Sequence, residues 1–339
     1  LHDQGKTMIQ WMNRIGYDAL VPGIYDFILG DLNLNELSKE AIFPFLFSNI
    51  ECIECPLTSN KIIPYIIKEI ENIKVGILGI VNSKIEDLVL EDNLFGTNTL
   101  NEIESIQKWI PELKKEGAEI IIVLTSSGVP WNREKEYELL KNKVETGEIT
   151  NKSSLNALEM AYFLNDVDFI VTGGNSKGYF LPWYDPHSHV YVMQGYGGGT
   201  EFSHVKLLVD EKTHLFMGYE TVVDGKASQT LLADDFSYDQ NDYDWIKTKV
   251  KESQNFKFKR EFSEFENLNM PIDKYPWSFP NINHEDKIEI ITWNCEFFPN
   301  ANDSTISALS YAIDELDADI IAFQEIRKIG WFGKLMKRI

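Results

Sequence analysis

Asn294 and Glu325 are the residues whose types and placement best fit a reaction centre. Each follows an apolar segment with the composition of a β-strand, 287–293 for the asparagine and 319–324 for the glutamate. Neighbouring parallel strands end at one edge of a sheet, so the two side chains are expected to converge on one crevice. A carboxylate with an amide suits Mg²⁺, which keeps several waters and binds substrate phosphate. The alternative is a buried strand pair whose polar ends carry no chemistry.

Two other pairs of metal-ligating residues occur in the sequence. His187 and His189 are one residue apart, as in a zinc site on a strand, but the surrounding segment predicts a surface loop. Cys52 and Cys55 form a C-x-x-C motif without a second ligand pair or a helix N-terminus. We interpret them as two loop cysteines, and the sequence leaves their pairing open. Three cysteines are too few for a disulfide framework.

The composition indicates a well-packed globular protein with an acidic surface. Of the 339 residues, 43% are hydrophobic and 12% are aromatic, and the net charge is -21. Such a surface repels phosphate backbones, which argues against strong nucleic-acid binding. A metal centre would still admit phosphate substrates, because a bound cation inverts the local field. No apolar run in the sequence is long enough to span a bilayer.

Strands and helices alternate along the first part of the chain. Buried strands are predicted at 74–81, 119–124 and 167–172, separated by helices at 100–116 and at 153–164, the second opened by serine caps. Consecutive strands follow this alternating part. The pattern predicts an α/β fold, a layered sandwich in which helices and sheets pack face to face.

The segment 12–27 combines a helix end, a short strand at 19–21 and a sharp turn at Pro22-Gly23. Together with the ordered features below, it resembles the dinuclear metallophosphoesterases of the 5'-nucleotidase (calcineurin-like) type. The features are Gly16-Tyr17-Asp18-Ala19 with Asp26-Phe27, Phe43-Pro44 with Ser48-Asn49-Ile50, the strand 75–80, Leu124-Thr125 with Gly128, Gly173-Gly174 and the segment 192–200. The resemblance covers about the first two thirds of the chain and implies a layered α-β-β-α sandwich.

The resemblance also implies a pair of metal ions, but the matching ligand positions depart from the family pattern. An Asn-His pair, a single His and a Gly-His-x-His motif are replaced by Ile24, Tyr25, Ser126, Asn175 and Lys177. The family's two earliest ligand motifs would precede Leu1. A hydrolytic metal pair needs imidazole and carboxylate ligands to create hydroxide. We therefore expect a catalytically dead domain with no cofactor.

Lys177 would lie where the family holds a cation. It either pairs with a carboxylate such as Asp26 and closes the pocket, or holds one small phosphate-bearing ligand without turnover. The net charge of -21 disfavours anions over the whole surface and so slightly favours the ion pair.

The region of Asn294 and Glu325 is similar to the opening of the endonuclease/exonuclease/phosphatase family. The similarity lies in T-W-N at 292–294 and A-D-I-I-A-F-Q-E at 318–325. It implies Glu325 as a direct Mg²⁺ ligand and Asn294 as a residue that orients metal-bound groups. The later catalytic residues of that family would lie beyond Ile339, so this site is expected to be half complete.

These features predict a metallophosphoesterase-like domain at 1–262, a linker at 263–286 and the start of a second α/β sandwich domain at 287–339. The chain is then expected to be a fragment of a two-domain phosphoesterase-like protein. Its second domain would hydrolyse phosphoesters with Mg²⁺, and its first would bind a ligand or play a structural role. The rival hypotheses are an active metal-dependent 5'-nucleotidase and a purely structural extracellular module. The resemblance favours an extracytoplasmic location, periplasmic or secreted.

Overall fold

The computed structural model describes residues 3–89, 93–174, 177–223, 225–230, 237–254, 288–295, 302–326 and 329–339. Contacts between residues divide the chain into two compact units, Leu1–Phe258 and Lys259–Ile339. The predicted linker, 263–286, lies outside the described residues, so the predicted domain bounds stay predictions. Within the described part of the chain, no helix is both long and apolar enough to cross a bilayer.

The first unit alternates helices with strands. Its helices are α1 (Lys6–Ile15), α2 (Asp31–Glu40), α3 (Ile85–Leu88), α4 (Glu102–Lys115), α5 (Arg133–Glu145), α6 (Ala157–Phe163) and α7 (Gln240–Gln254). A 3₁₀ turn spans Ile24–Phe27. Its strands are β1 (Phe45–Leu46), β2 (Ile50–Cys52), β3 (Ile62–Ile63), β4 (Tyr65–Ile70), β5 (Ile73–Ile80), β6 (Thr97–Thr99), β7 (Ile120–Thr125), β8 (Phe169–Thr172), β9 (Trp183–Tyr184), β10 (Tyr191–Met193), β11 (Glu201–Ser203), β12 (Val205–Val209), β13 (Phe216–Thr221) and β14 (Ser228–Thr230).

A six-stranded sheet with the order β4-β5-β7-β8-β10-β9 forms the centre of the first unit. Strands β5, β7, β8 and β10 are parallel, and the edge strands β4 and β9 are antiparallel to their neighbours. Helices α4 and α6 bury Ile106 and Met160 against one face of this sheet. The hairpin β12–β13 packs on the other face around Phe169 and Met193. The predicted layered α/β sandwich is confirmed.

A second apolar cluster holds the N-terminal elements together. Phe27 from the 3₁₀ turn, Leu34 from α2 and Phe45 from β1 are almost fully buried in it. Ile9 from α1 and Val81, which follows β5, belong to the same cluster. This packing fixes the 3₁₀ turn beside the end of β5.

The prediction of a strand at 19–21 is wrong. Only Leu20 pairs there, by donating to the Pro44 carbonyl at 3.0 Å and accepting from the Leu46 N–H at 2.8 Å. The ladder cannot extend through Pro22, because proline has no N–H to donate. The segment is a single bridge that leads into the Gly23 turn.

The second unit contains a parallel strand pair with helices on one face. Its elements are β15 (Ile290–Asn294), α8 (Asn302–Leu316), β16 (Ile320–Gln324) and α9 (Ile329–Leu335). Leu309 and Trp331 are buried beneath the sheet in this unit. The strand–helix–strand order expected from the sequence is present, and Asn294 lies opposite Gln324 in the strand register.

Candidate functional site

The carboxyl ends of three parallel strands form the edge at which the first unit gathers its predicted site residues. Ile80 of β5 is aligned with Thr125 of β7, and Thr125 is aligned with Thr172 of β8. The residues that follow these strands therefore lie side by side. Because ligands of open α/β sheets usually bind beyond the carboxyl ends of the strands, this edge is the expected position of a site.

Ser126 is the central residue of this edge. Its Oγ accepts a hydrogen bond from the Asn82 N–H at 3.3 Å, and the residue is only 6% exposed. Gly174 lies against its backbone: a Cβ at Gly174 would be 1.9 Å from the Ser126 carbonyl oxygen, and the φ of Gly174 is +90°. Only glycine fits there. A Cβ at Gly23 would be 3.8 Å from the Ser126 Cβ, so the 3₁₀ turn also borders the edge.

Ile24 and Tyr25, the residues that the sequence resemblance aligned with an Asn-His pair, lie in the 3₁₀ turn. Ile24 is half-buried and packs against the apolar cluster that contains Phe27. Tyr25 is 84% exposed. An isoleucine side chain offers no donor atom to a cation, and its burial in an apolar cluster makes it a packing residue.

Asp26 lies next in the turn and accepts a hydrogen bond from the Gly23 N–H at 2.8 Å. The residue is exposed, but surrounding protein atoms partly desolvate its carboxyl group. This desolvation raises the pKa of Asp26, and the bond from Gly23 offsets part of the rise.

Asn175 lies outside the described residues, whereas Lys177 is described. The Lys177 Nζ lies 4.9 Å from the ring centroid of Trp131 and 5.3 Å from that of Tyr179. The pKa of Glu134 is lowered chiefly by a hydrogen bond from Arg133 and, less strongly, by the charge of Lys177. The ion pair predicted between Lys177 and Asp26 is not among the contacts of the described residues. The Lys177 ammonium group lies near the Trp131 and Tyr179 rings, whose faces attract a cation.

Arg133 and Trp131 are the residues that the sequence did not indicate at this site. The Arg133 guanidinium lies 4.2 Å from the Tyr179 ring and 5.6 Å from the Trp183 ring, and it donates to the Leu181 carbonyl. The Tyr179 hydroxyl donates to the Pro130 carbonyl at 2.6 Å. These contacts join two segments about 50 residues apart in sequence, a pairing that no local pattern reveals.

The histidine pair is divided between two aromatic partners. The His187 ring stacks on Tyr162 with 4.3 Å between centroids, and His189 Nδ1 shares a hydrogen bond with the Tyr184 hydroxyl. Across the described ranges, no group of three or more His, Cys, Asp or Glu residues is arranged to hold a metal ion.

Asn294 and Glu325 are brought together in the second unit, as expected. Asn294 Nδ2 donates to Glu325 Oε1 at 2.8 Å, directly beyond the paired ends of β15 and β16. Glu325 has a φ of +55°, a conformation that few non-glycine residues adopt. This turn directs the chain away from the sheet at the point where the two polar side chains meet.

The structure joins Cys52 and Cys55, whose pairing the sequence left open, in a disulfide. Only Cys55 is a loop cysteine, because Cys52 is the last residue of β2. Glu54 has a φ of +59°, and this turn brings the two Cα atoms to 5.3 Å. That separation lies within the usual range for disulfides. A C-x-x-C spacing alone does not report such a turn.

Comparisons with known proteins relate the first unit to phosphoesterases. No protein-family model matches the chain. A cell wall protein of Listeria monocytogenes is 30% identical over 170 residues, 46% of this chain and 19% of that protein. A snake venom 5'-nucleotidase of Gloydius brevicauda is 28% identical over 242 residues, 70% of this chain and 38% of that protein. The chain thus spans well under half the length of these relatives.

A solved structure supports the fold assignment. The calcineurin-like phosphoesterase YfkN from Bacillus subtilis superimposes with a TM-score of 0.57 at 19% identity, over 73% of this chain and 74% of that one. The first unit has the mixed α/β fold of metallophosphoesterases. In sequence the chain is similar to 5'-nucleotidases over 70% of its length.

Proposed function

We propose that the first unit is a metallophosphoesterase fold that no longer hydrolyses phosphoesters and serves as a binding or structural module. The observation that carries this proposal is the packing of Ile24 against an apolar cluster. In the sequence resemblance, this residue stands where a ligand would be. Ser126 adds a neutral hydroxyl that already accepts from Asn82, and Lys177 adds a positive charge. These residues do not fit a metal pair, since they supply neither imidazole nor carboxylate.

The test is hydrolysis of nucleoside monophosphates and of bis(p-nitrophenyl) phosphate in the presence of Mn²⁺ or Zn²⁺. We expect no turnover above the metal-only blank, because the described residues of the edge include no ligand set that would generate a metal-bound hydroxide. A rate that rises with protein concentration and disappears in Ser126→Trp, which fills the crevice, would instead support an active nucleotidase. The similarity to 5'-nucleotidases is what favours that alternative.

The partner class that best suits the crevice is a small phosphate-bearing ligand, held by the charge of Lys177 without turnover. Calorimetric titration with inorganic phosphate and with nucleoside monophosphates tests this directly. Heat that is lost in Lys177→Ala but kept in Lys206→Ala, an exposed lysine elsewhere, would support binding. The absence of heat in the wild type would leave the unit as a scaffold. That outcome would agree with the alternative hypothesis of a structural extracellular module.

We further propose that Asn294 and Glu325 are half of a Mg²⁺ site. Their direct hydrogen bond places a carboxylate and an amide at one strand edge, and this donor set fits Mg²⁺. The ion would supply positive charge for a substrate phosphate. Glu325 would bind it, and Asn294 would orient the carboxylate.

Paramagnetic broadening by Mn²⁺ tests the half-site in the chain as it exists. Amide signals near residues 294 and 325 should broaden in the wild type and not in Glu325→Gln. In any longer chain that supplies the later residues of such a domain, Glu325→Ala should abolish Mg²⁺-dependent hydrolysis. Asn294→Ala should weaken it by roughly 10- to 100-fold, as is typical of residues that orient a ligand. Equal broadening in wild type and Glu325→Gln would contradict the assignment.

An extracytoplasmic location, periplasmic or secreted, belongs to the same proposal. Disulfides persist mainly in oxidising compartments, and Cys52 and Cys55 are joined in this protein. The relatives include a cell wall protein and a venom enzyme. Fractionation of cells that express the native protein tests the location, and recovery only in the cytosol would contradict it.

A further inference from the structure

The Cys52–Cys55 disulfide has one accessible and one inaccessible half. Cys52, the last residue of β2, is exposed, whereas Cys55 is 6% exposed. A thiol from solution therefore approaches Cys52 more readily than Cys55. This asymmetry fixes which sulfur receives an attack and which one leaves.

The loop that carries the disulfide is held in place by other bonds. Cys52 pairs with Thr97 in the antiparallel β2–β6 ladder, and the Ile53 N–H donates to the Gly96 carbonyl at 2.8 Å. The disulfide itself closes a loop with a sequence separation of 3. Stabilisation by a disulfide grows with the length of the loop that it closes, so this one contributes little to the fold. Opening it does not require the first unit to unfold.

The charges around Cys52 select among thiols. Glu51 precedes and Glu54 follows it, and both residues are exposed. The protein as a whole carries a net charge of -21. The attacking species is a thiolate, so an anionic thiol meets repulsion from these carboxylates, whereas the ammonium group of a cationic thiol is attracted by them. Acidic neighbours thus favour small cationic or neutral thiols.

We propose that the Cys52–Cys55 disulfide is a thiol-exchange site that opens in the folded protein by attack of a small cationic or neutral thiol at Cys52. The thiolate sulfur forms a bond to Cys52 Sγ as the Cys52–Cys55 bond breaks. The electron pair leaves with Cys55 Sγ, which then takes a proton. The product is a mixed disulfide on Cys52 and a free thiol at Cys55. A second thiol molecule then releases the dithiol form and carries away one small-molecule disulfide.

The experiment compares cysteamine with 2-mercaptoethanesulfonate under native conditions. Each rate of adduct formation, measured by mass spectrometry after acid quenching, is divided by the rate of the same thiol with hydroxyethyl disulfide, a neutral reference. We expect the adduct on Cys52 and a normalised rate several times higher for cysteamine. Buried Cys295 serves as an internal control and should stay unmodified.

Charge variants separate the local field from the net charge of the protein. The preference for cysteamine should shrink in the double variant Glu51→Gln, Glu54→Gln. It should persist in Glu145→Gln, Glu211→Gln, which removes the same charge from exposed positions elsewhere. Equal preferences in the two double variants would overturn the proposed role of Glu51 and Glu54.

Single cysteine variants test the asymmetry itself. In Cys55→Ser the remaining Cys52 thiol should react rapidly with N-ethylmaleimide, whereas in Cys52→Ser the buried Cys55 thiol should react slowly. Equal rates, an adduct on Cys55, or exchange that occurs only in urea concentrations that unfold the first unit would each overturn the proposal.

Discussion

The side chains at the carboxyl edge of the main sheet take part in packing and hydrogen bonding. Ile24 packs in an apolar cluster, Ser126 accepts from a backbone N–H, and Lys177 lies over aromatic rings. Each of these roles opposes cation binding for a different reason. Ile24 has no atom that can ligate a metal, the neutral Ser126 hydroxyl already accepts a hydrogen bond, and Lys177 carries a positive charge itself. The backbone at this edge is closely packed, and the approach of residue 174 to the Ser126 carbonyl oxygen is possible only for glycine.

Asn49 is a residue whose removal should strongly destabilise the first unit. It is fully buried, and its side chain bonds both the N–H and the carbonyl of Val81 and also reaches the Leu100 carbonyl. Asn49→Ala leaves these buried groups without partners, so we expect the free energy of unfolding to fall by about 3 kcal/mol. Urea unfolding measures this, with exposed Asn98→Ala as the control. Equal losses in both variants would contradict the account.

Asp168 should make stability fall as the pH rises. It accepts from the Ile121 N–H at 2.8 Å, and burial raises the pKa of its carboxyl above 3.8. Its contribution is then fully present below the unfolded-state pKa and lost as the pH rises through the folded-state pKa. Asp168→Asn keeps the acceptor and does not titrate. The wild type should therefore lose stability relative to this variant as the pH rises above the unfolded-state pKa and through the raised folded-state pKa.

Asp210 should give stability the opposite dependence on pH, so it provides a comparison for Asp168. Hydrogen bonds from Thr213 and Lys212 lower the pKa of its carboxyl. Its contribution is present above the unfolded-state pKa and lost as the pH falls through the folded-state pKa. Relative to Asp210→Asn, the wild type should therefore lose stability on acidification. Urea unfolding over a pH series measures both pairs, and parallel curves for wild type and Asp168→Asn would contradict the prediction.

Elements with a strong apolar pattern were predictable from the sequence, and short irregular ones were not. The strand predicted at 74–81 is β5, and the strand at 167–172 contains β8, because buried parallel strands are continuous apolar runs. The strand at 19–21 failed because Pro22 ends its ladder after one bridge. The Cys52–Cys55 bond and the Arg133 contacts depend on turns and on pairings distant in sequence. Local periodicity carries no information about either.

The helix α6 begins at a different cap from the one that the sequence suggested. Asn156, rather than a serine, accepts from the N–H groups of Leu158 and Glu159, and the Glu159 carboxylate accepts from the Asn156 N–H. The predicted serine cap and helix start at 153 are therefore wrong. Asparagine and serine are equally good caps, so residue type does not distinguish Asn156 from the serines just before it.

Removal of this cap should destabilise α6 and the core that it covers. Asn156→Ala should lower the free energy of unfolding by about 1 kcal/mol, since two backbone donors lose their acceptor. Asn151→Ala, at an exposed position in the preceding turn, should change it little. Thermal and urea unfolding would measure both variants, and a smaller loss in Asn156→Ala than in Asn151→Ala would contradict the capping assignment.

The two compact units of the whole molecule have different features that bear on phosphoester chemistry. The first has the fold of a phosphoesterase. We propose that the residues at the edge of its sheet do not ligate a metal. The second is small and places Asn294 against Glu325 at the end of a parallel strand pair. In our proposal the first unit binds or supports, and any reaction belongs to the half-site of the second. The distribution of bound metal between the units is therefore the property on which the account depends.

The most direct measurement is the metal content of the Glu325→Gln protein after loading with Mn²⁺ or Zn²⁺ and removal of free ions. The substitution eliminates the proposed half-site, so any remaining tightly bound metal reports on the first unit. We predict well below one ion per chain, because Ile24, Ser126 and Lys177 offer no suitable ligand set. Retention of about two ions per chain, as in two-metal hydrolases, would contradict the central claim that the first unit has lost its metal pair.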